Sequence, residues 1–168
     1  MIGWEISNKG DTELRRFFEL HYTRQTPFSP GWLRPGYNLV LRWGQPCVAL
    51  FIWWRPKWEN GTPGTERKDK LRVLECTVFR RIGGECVASD MIKQAVLMLY
   101  TKQTSEILHL ETAGSITTAI TYVSGLCTFK RRSKKHRPGH CFIKAGWKPD
   151  NDWSSFSRLT LPIFTEES

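Results

Sequence analysis

A mixed α/β sheet in one domain is the fold that the sequence predicts, and three features carry that reading. Two strand-like runs, Tyr37 to Trp43 and Cys47 to Trp54, are joined by Gly44-Gln45-Pro46, the punctuation of a hairpin. A third run, Leu71 to Phe79, leads through a glycine-bearing turn into the strongest amphipathic helix of the chain. A last run, Ser157 to Phe164, alternates Leu159, Leu161 and Ile163 with polar residues. The 168 residues suit a single domain, 1–168.

Taken in order, a first strand precedes Asp11, which caps a helix from Thr12 with Glu13 in the first turn, where the helix dipole favours it. Leu14, Phe17, Phe18 and His21 follow at helical spacing. Gln25 to Gly36 holds three prolines and two glycines and reads as a loop. After the hairpin, the polar stretch 55–70, with Asn60-Gly61 and Pro63-Gly64, reads as an exposed connection. The glycine turn spans Arg80 to Ala88; Ser89 is its expected N-cap, and a helix runs from Asp90 to about Lys102 with Ile92, Ala95, Val96 and Leu99 on one face. Ile107 to Leu110 reads as a short buried strand and Thr112 to Thr121 as a Ser/Thr-rich segment. Pro138-Gly139 opens a short helix that Gly146 ends.

The charge is concentrated. Lys and Arg number 25 against 16 acids, a net charge of +9. No acidic residue occurs between Glu111 and Asp150, and that stretch holds eight basic ones, leaving 17 basic and 16 acidic residues elsewhere. Six of the eight, Lys130, Arg131, Arg132, Lys134, Lys135 and Arg137, fall in a basic loop, 128–138. Such a patch is the footprint of a polyanion, nucleic acid or an anionic cofactor; a solvated loop of like charges is the other reading. The eight tryptophans supply core, or stacking surfaces for flat ligands.

Five cysteines, an odd number with no two-residue spacing, argue against a secreted disulfide framework and for thiols in a reducing cytoplasm. The N-terminus lacks the pattern of a signal peptide, and the longest apolar run, Val48 to Trp54, is too short to span a bilayer, so no membrane partner is expected. His136, His140, Cys127 and Cys141 match no standard zinc spacing, and no metal is predicted.

Chemistry centres on the turn. A strand entering a glycine-bearing turn and then a helix presents backbone N–H groups and the positive end of the dipole, so a pyrophosphate cradle competes with an ordinary strand-to-helix turn. Neither a Walker loop nor the dinucleotide fingerprint is present. The order of elements, together with Arg81-Ile82-Gly83-Gly84-Glu85-Cys86, resembles the GNAT acyltransferases, matching their turn at Arg81 and Gly84 and departing at Cys86. Phe142-Ile143-Lys144-Ala145-Gly146-Trp147 is similar to the tail of that family's last helix, with Phe142 where many members carry a tyrosine acid. Thr77-Val78-Phe79-Arg80, Ser89 and Pro138-Gly139-His140-Cys141-Phe142 resemble a phage-encoded, Mom-like DNA-modification branch of the superfamily, as does the pair His21-Tyr22.

The resemblance implies a central, mostly antiparallel twisted sheet flanked by helices, and acetyl-CoA or a related acyl-CoA as donor. It implies donor contacts at Val78, Phe79, Arg81, Gly83, Gly84 and Ser89, and catalysis by His21 and Tyr22 in the cytoplasm of a bacterial host. The residues alone leave His21 either a buried partner of the helix face or a base for an amine, with Tyr22 suited to protonate a leaving thiolate. His140 and Cys141, beside the absent tyrosine, are the alternative candidates to supply that proton. The expected function is transfer of an acyl-derived group to a nucleobase amine in DNA, adenine first. The basic loop would grip the backbone, and Trp32 and Trp147 would stack a flipped base. Two other readings stand beside it: an N-acetyltransferase of a small amine or a protein, and an inactive basic nucleic-acid-binding module.

Overall fold

Seven strands make one sheet in the order β1-β2-β3-β4-β5-β7-β6. The computed structural model describes residues 3–20, 31–57, 71–112, 116–124, 139–150 and 156–164. The strands are β1 (Trp4–Ser7), β2 (Tyr37–Trp43), β3 (Ala49–Arg55), β4 (Leu74–Arg81), β5 (Thr118–Ser124), β6 (Lys148–Pro149) and β7 (Phe156–Pro162). The helices are α1 (Thr12–Glu19), α2 (Ala88–Leu97), α3 (Lys102–Leu108) and α4 (His140–Lys144). All neighbouring strands run antiparallel except β4 and β5, which are parallel. The mixed, mostly antiparallel sheet flanked by helices is therefore as expected.

Each face of the sheet has its own apolar cluster. On one, Leu74, Cys76, Trp53 and Phe51 pack under Met91, Ile92 and Ala95 of α2, Leu108 of α3 and Phe142 of α4. On the other, Val40, Leu50, Ile52 and Val78 pack under Leu14, Phe17 and Phe18 of α1, with Trp32. The alternation of a strand decides which residues belong to which cluster. Two indoles tie the first face to α2: Trp4 Nε1 donates to Met91 O at 2.7 Å and Trp53 Nε1 to Ala95 O at 3.0 Å. The second bond satisfies a carbonyl in the last turn of the helix.

The start of α1 is pinned as its sequence predicts. Asp11 Oδ1 accepts from Leu14 N at 3.0 Å, and Arg42 of β2 donates to Asp11 Oδ2 at 2.8 Å and Glu13 Oε2 at 2.7 Å. Glu13 Oε1 in turn accepts from Cys47 N at 2.9 Å. Burial alone raises the Asp11 pKa, but the Leu14 N–H, the Ser7 hydroxyl and the Arg42 guanidinium more than offset it, and the carboxyl ends below its ordinary value.

Four expectations are corrected. Ile107 to Leu110 is the end of α3 and a following 3₁₀ turn, because Thr101 caps a new helix through its hydroxyl, which accepts from Thr104 N at 3.3 Å. A four-residue apolar run does not distinguish the end of a helix from a strand. Conversely, the Ser/Thr-rich segment ends inside a strand, β5, which begins at Thr118 and buries Ala119, Ile120, Thr121 and Val123 at the centre of the sheet. Arg55 is not part of an exposed connection: it ends β3 fully buried, with Nη1 donating to Leu108 O at 3.2 Å and its guanidinium 5.0 Å from the Tyr37 ring. The rest of that connection from residue 58 lies outside the described residues. Finally, α2 begins at Ala88 with Val87 as N-cap, which places Ser89 inside the first turn.

Candidate active site

The parallel pairing of β4 with β5 lasts for three residues, Leu74 to Cys76 against Ala119 to Thr121. Beyond them β4 continues to Arg81 and β5 to Ser124 without pairing with each other, so the two strands part and leave a wedge in the middle of the sheet. Thr121 Oγ1 donates to Cys76 O at 2.9 Å at the point of divergence. A bulge sits there as well: Ile52 pairs with Val78 and Trp53 with Cys76, which leaves Thr77 as an extra residue in β4. A bulge bends its strand and re-aims the groups that follow. From Thr77 onward the β5-facing edge of β4 has no strand partner among the described residues.

One wall of the wedge is apolar. Phe79 packs against Phe142 of α4, with ring centroids 5.8 Å apart, and Phe142 packs edge-on against Trp147 at 5.3 Å. Phe142 is buried, so the position where the resemblance expects an acid is filled by core. Cys76 is also buried at the divergence, and burial pushes its thiol pKa well up.

The wedge opens toward the glycine turn. Ile82 N donates to Val48 O at 2.9 Å, and Arg81 Nη2 donates to Gly84 O at 2.6 Å, which holds the turn closed on itself. Gly84 has φ +89° and sits against Val48, so the fold requires glycine there. Gly83 has no such requirement: a Cβ built on it meets nothing within 4 Å. No side chain caps the first turn of α2, and its dipole end faces outward beside the turn. Asp90 opposes an anion there, and its Oδ1 lies 3.7 Å from Lys93 Nζ.

The opposite face, under α1, carries a polar row that the sequence did not mark. Register places Asn38, Trp54 and Glu75 side by side across β2, β3 and β4, on the face that also carries Val40 and Ile52. Glu75 is 3% exposed, and Arg34 Nη1 donates to its Oε1 at 2.8 Å, with the guanidinium 5.2 Å from the Trp54 ring. Trp54 Nε1 donates to Pro35 O at 2.9 Å. A buried carboxylate at such a divergence can hold a cationic amine or take its proton. The signal available in the sequence was an acid within the strand-like run, between Leu74 and Cys76.

Among the expected donor residues, Phe79, Arg81, Gly83, Gly84 and Ser89 lie along the wedge and turn, while Val78 points to the α1 face and is buried with Leu14 and Trp32. Trp32 and Trp147 are not free to stack a base. Trp32 is buried with Nε1 donating to Lys9 O at 2.8 Å, and Trp147 is stacked on Trp53 in the core. All six described tryptophans are buried because their area fills the two faces of the sheet. His21, Tyr22 and the basic residues Lys130, Arg131, Arg132, Lys134, Lys135 and Arg137 lie outside the described residues. No group of three or more metal-ligating side chains occurs among the described residues, and no helix there is long and apolar enough to cross a membrane.

Comparison with solved structures gives the fold. The chain superposes on an aminoglycoside acetyltransferase, AAC(6')-Ib, solved with coenzyme A and kanamycin, with a TM-score of 0.54. The match covers 96% of this chain and 95% of that one at 10% sequence identity. The fold is that of a GNAT acetyltransferase. A second structure, aminoglycoside N-acetyltransferase AAC(6')-Ib11, aligns over 96% of each chain with 9% identity and a TM-score of 0.48. No family model matches the sequence, and no curated protein does.

Proposed function

We propose that this chain is an acyl-CoA-dependent N-acyltransferase whose acceptor amine belongs to a nucleobase in DNA. The observation that carries the acyl-transfer part is the wedge between β4 and β5, opening at a bulge and leading to a glycine turn at the start of α2. Pantetheine carries amides, and the edge of β4 beyond Thr77, which has no strand partner among the described residues, is a strand edge able to pair with it. The pyrophosphate then falls at Arg81 to Ser89, where Gly83 leaves open space and the helix dipole favours negative charge. Phe79 and Phe142 keep water from the thioester side. The structural neighbour that binds coenzyme A in the same fold supports this donor.

Chemically, the amine nitrogen bonds to the acyl carbon as the thioester C–S bond breaks, one amine proton passes to a base, and the thiolate takes up a proton. Glu75 is the buried carboxylate on the acceptor face. His21 and Tyr22, which directly follow α1 in the sequence, are the base and the thiolate acid that the sequence proposes. Glu75→Gln and His21→Ala identify the base: the substitution that removes it lowers turnover by about 10²–10⁴-fold.

The nucleobase acceptor rests on the basic segment 128–138, which precedes α4 in the sequence and carries more positive charge than one coenzyme needs. A small polyamine acceptor is the second reading, favoured by the kanamycin bound to the structural neighbour. Duplex DNA and kanamycin are each incubated with acetyl-CoA, and the products are resolved by mass spectrometry after nucleoside digestion. An acetylated nucleoside supports the first reading, and acetyl-kanamycin with unmodified DNA overturns it. Duplex affinity should fall steeply between low and physiological salt if the cations of this segment neutralise phosphates.

A further inference from the structure

Resting on the nucleobase-acceptor reading above, we propose that the α1 face of the sheet is the surface that binds DNA, with Arg34 and Arg158 taking phosphates on the two sides of the wedge. Strand alternation assigns the face. Leu74, Cys76 and Ala119 belong to the cluster under α2, so Glu75 of β4 and Ile120 of β5, which pair with each other, stand on the α1 face. Val123 and Leu159 belong to the α2 cluster as well, so Tyr122 and Arg158, register partners in β5 and β7, stand on the α1 face. Thr160 and its β6 partner Lys148 are on that face for the same reason.

Both arginines are anchored at one nitrogen and reach solvent. Arg34 Nη1 donates to Oε1 of the buried Glu75 at 2.8 Å and its guanidinium carbon lies 5.2 Å from the Trp54 ring, yet the side chain is 49% exposed. Its Nε and Nη2 make no hydrogen bond among the described residues. The segment that carries Arg34 is pinned in turn, because Trp54 Nε1 donates to Pro35 O at 2.9 Å. Arg158 Nε donates to Asp150 Oδ2 while its side chain stays 38% exposed, and Asp150 Oδ1 accepts from Thr160 Oγ1 at 2.8 Å. A guanidinium anchored in this way presents its remaining N–H groups in a set direction, and that planar fork suits a phosphate.

The charges of this part of the face favour an anion. Arg34, Arg158, Lys148 and Arg80, which reaches over the Phe17 ring of α1, are four cations against the two carboxylates Glu75 and Asp150. Each carboxylate is already bound to an arginine. Such a surplus attracts phosphate and repels a polycation. In the sheet β5 separates β4 from β7, so at ordinary spacing the strands of Glu75 and Arg158 lie about 10 Å apart where they are paired. A DNA strand that contacts both arginines lays the nucleotide between them over the mouth of the wedge. Tyr122, the first residue of β5 beyond the pairing with β4, stands there half-buried. The two arginines thus select a nucleic-acid acceptor without touching the reacting atoms.

The test measures binding of a fluorescent DNA duplex by anisotropy over a salt series without acetyl-CoA, for the wild type and for Arg34→Lys, Arg34→Gln, Arg158→Gln and Lys102→Gln. Each of Arg34→Gln and Arg158→Gln should weaken binding about ten-fold at low salt and make the slope of log Kd against log salt shallower by about 0.9, the share of one phosphate. Arg34→Lys keeps the charge and should keep the slope. Lys102→Gln makes the same charge change on α3, on the other face of the sheet, and should leave slope and affinity as in the wild type. Because Arg34→Gln strips the buried Glu75 of its partner, Arg158→Gln, at an exposed pair, carries the test where the first variant does not fold. A wild-type slope in a folded glutamine variant at either arginine, or an equal loss in Lys102→Gln, overturns this inference while duplex binding and base modification by the wild type stand. A wild type that binds no duplex overturns the nucleobase reading and this inference with it.

Discussion

Two adjacent glycines in the same turn should respond in opposite ways to the same substitution. Gly84 lies at φ +89°, where an L side chain costs about 1–2 kcal/mol, and a Cβ there comes within 3.2 Å of Val48 Cγ2. Against this, alanine narrows the unfolded ensemble by about 0.4–1 kcal/mol. The net expectation for Gly84→Ala is a loss of about 0.5–1.5 kcal/mol, or about 1–6 °C in Tm for a chain of this size. Gly83 is not in the left-handed region and its Cβ meets nothing within 4 Å, so Gly83→Ala gains about 0.4–1 kcal/mol. If the space over Gly83 is where the donor's pyrophosphate approaches the backbone, that same methyl group holds the phosphate off its N–H donors. A charge-assisted hydrogen bond is worth about 1.5–3 kcal/mol, so acetyl-CoA affinity should fall about ten-fold or more in Gly83→Ala. Urea denaturation and calorimetry with acetyl-CoA read the two effects separately. A Gly83→Ala protein that is as stable as expected and binds acetyl-CoA like the wild type refutes the placement of the donor at this turn.

Other outcomes follow from the packing and the charges. Because the Asp11 carboxyl sits below its ordinary value of 3.8 in the folded chain, the unfolded chain binds that proton first. The stability from its contacts with Leu14, Ser7 and Arg42 is complete at neutral pH and lost as pH falls through 3.8 toward the lower folded value, so Asp11→Asn should flatten the acid limb of a denaturation series. Phe142→Ala empties a site walled by Phe79 and Trp147 and should cost about 3–5 kcal/mol, a fall of about 6–20 °C in Tm by calorimetric scan. Iodoacetamide followed by peptide mass spectrometry should label the partly exposed Cys86 and Cys141 in the native protein. Cys76, buried with a raised thiol pKa, should label on unfolding, and acetyl-CoA should protect Cys86 in the turn.

Much of the fold was legible because it depends on local chemistry. Asp11 as a cap, the hairpin around Gly44 to Pro46, the glycine turn after β4 and the helix opened by Gly139 are all written in residue types at fixed offsets. Where local signals were ambiguous, burial decided. Ile107 to Leu110 is too short for periodicity to separate helix from strand, and β5 can bury Thr121 because its hydroxyl donates to Cys76 O across the divergence. The start of α2 moved from Asp90 to Ala88 because Val87, and not Ser89, takes the extended backbone of the cap.

The sequence by itself determined the capped start of α1, the β2–β3 hairpin, the glycine turn between β4 and α2 and the concentration of positive charge before α4, since each depends on neighbours along the chain. The tertiary structure decided the parting of β4 from β5 after Cys76, the inward turn of all six described tryptophans, and the row of Asn38, Trp54 and Glu75 on the α1 face. Those three residues are far apart in sequence and meet through strand register. Register is set by the whole apolar pattern of the sheet, and no local window contains it.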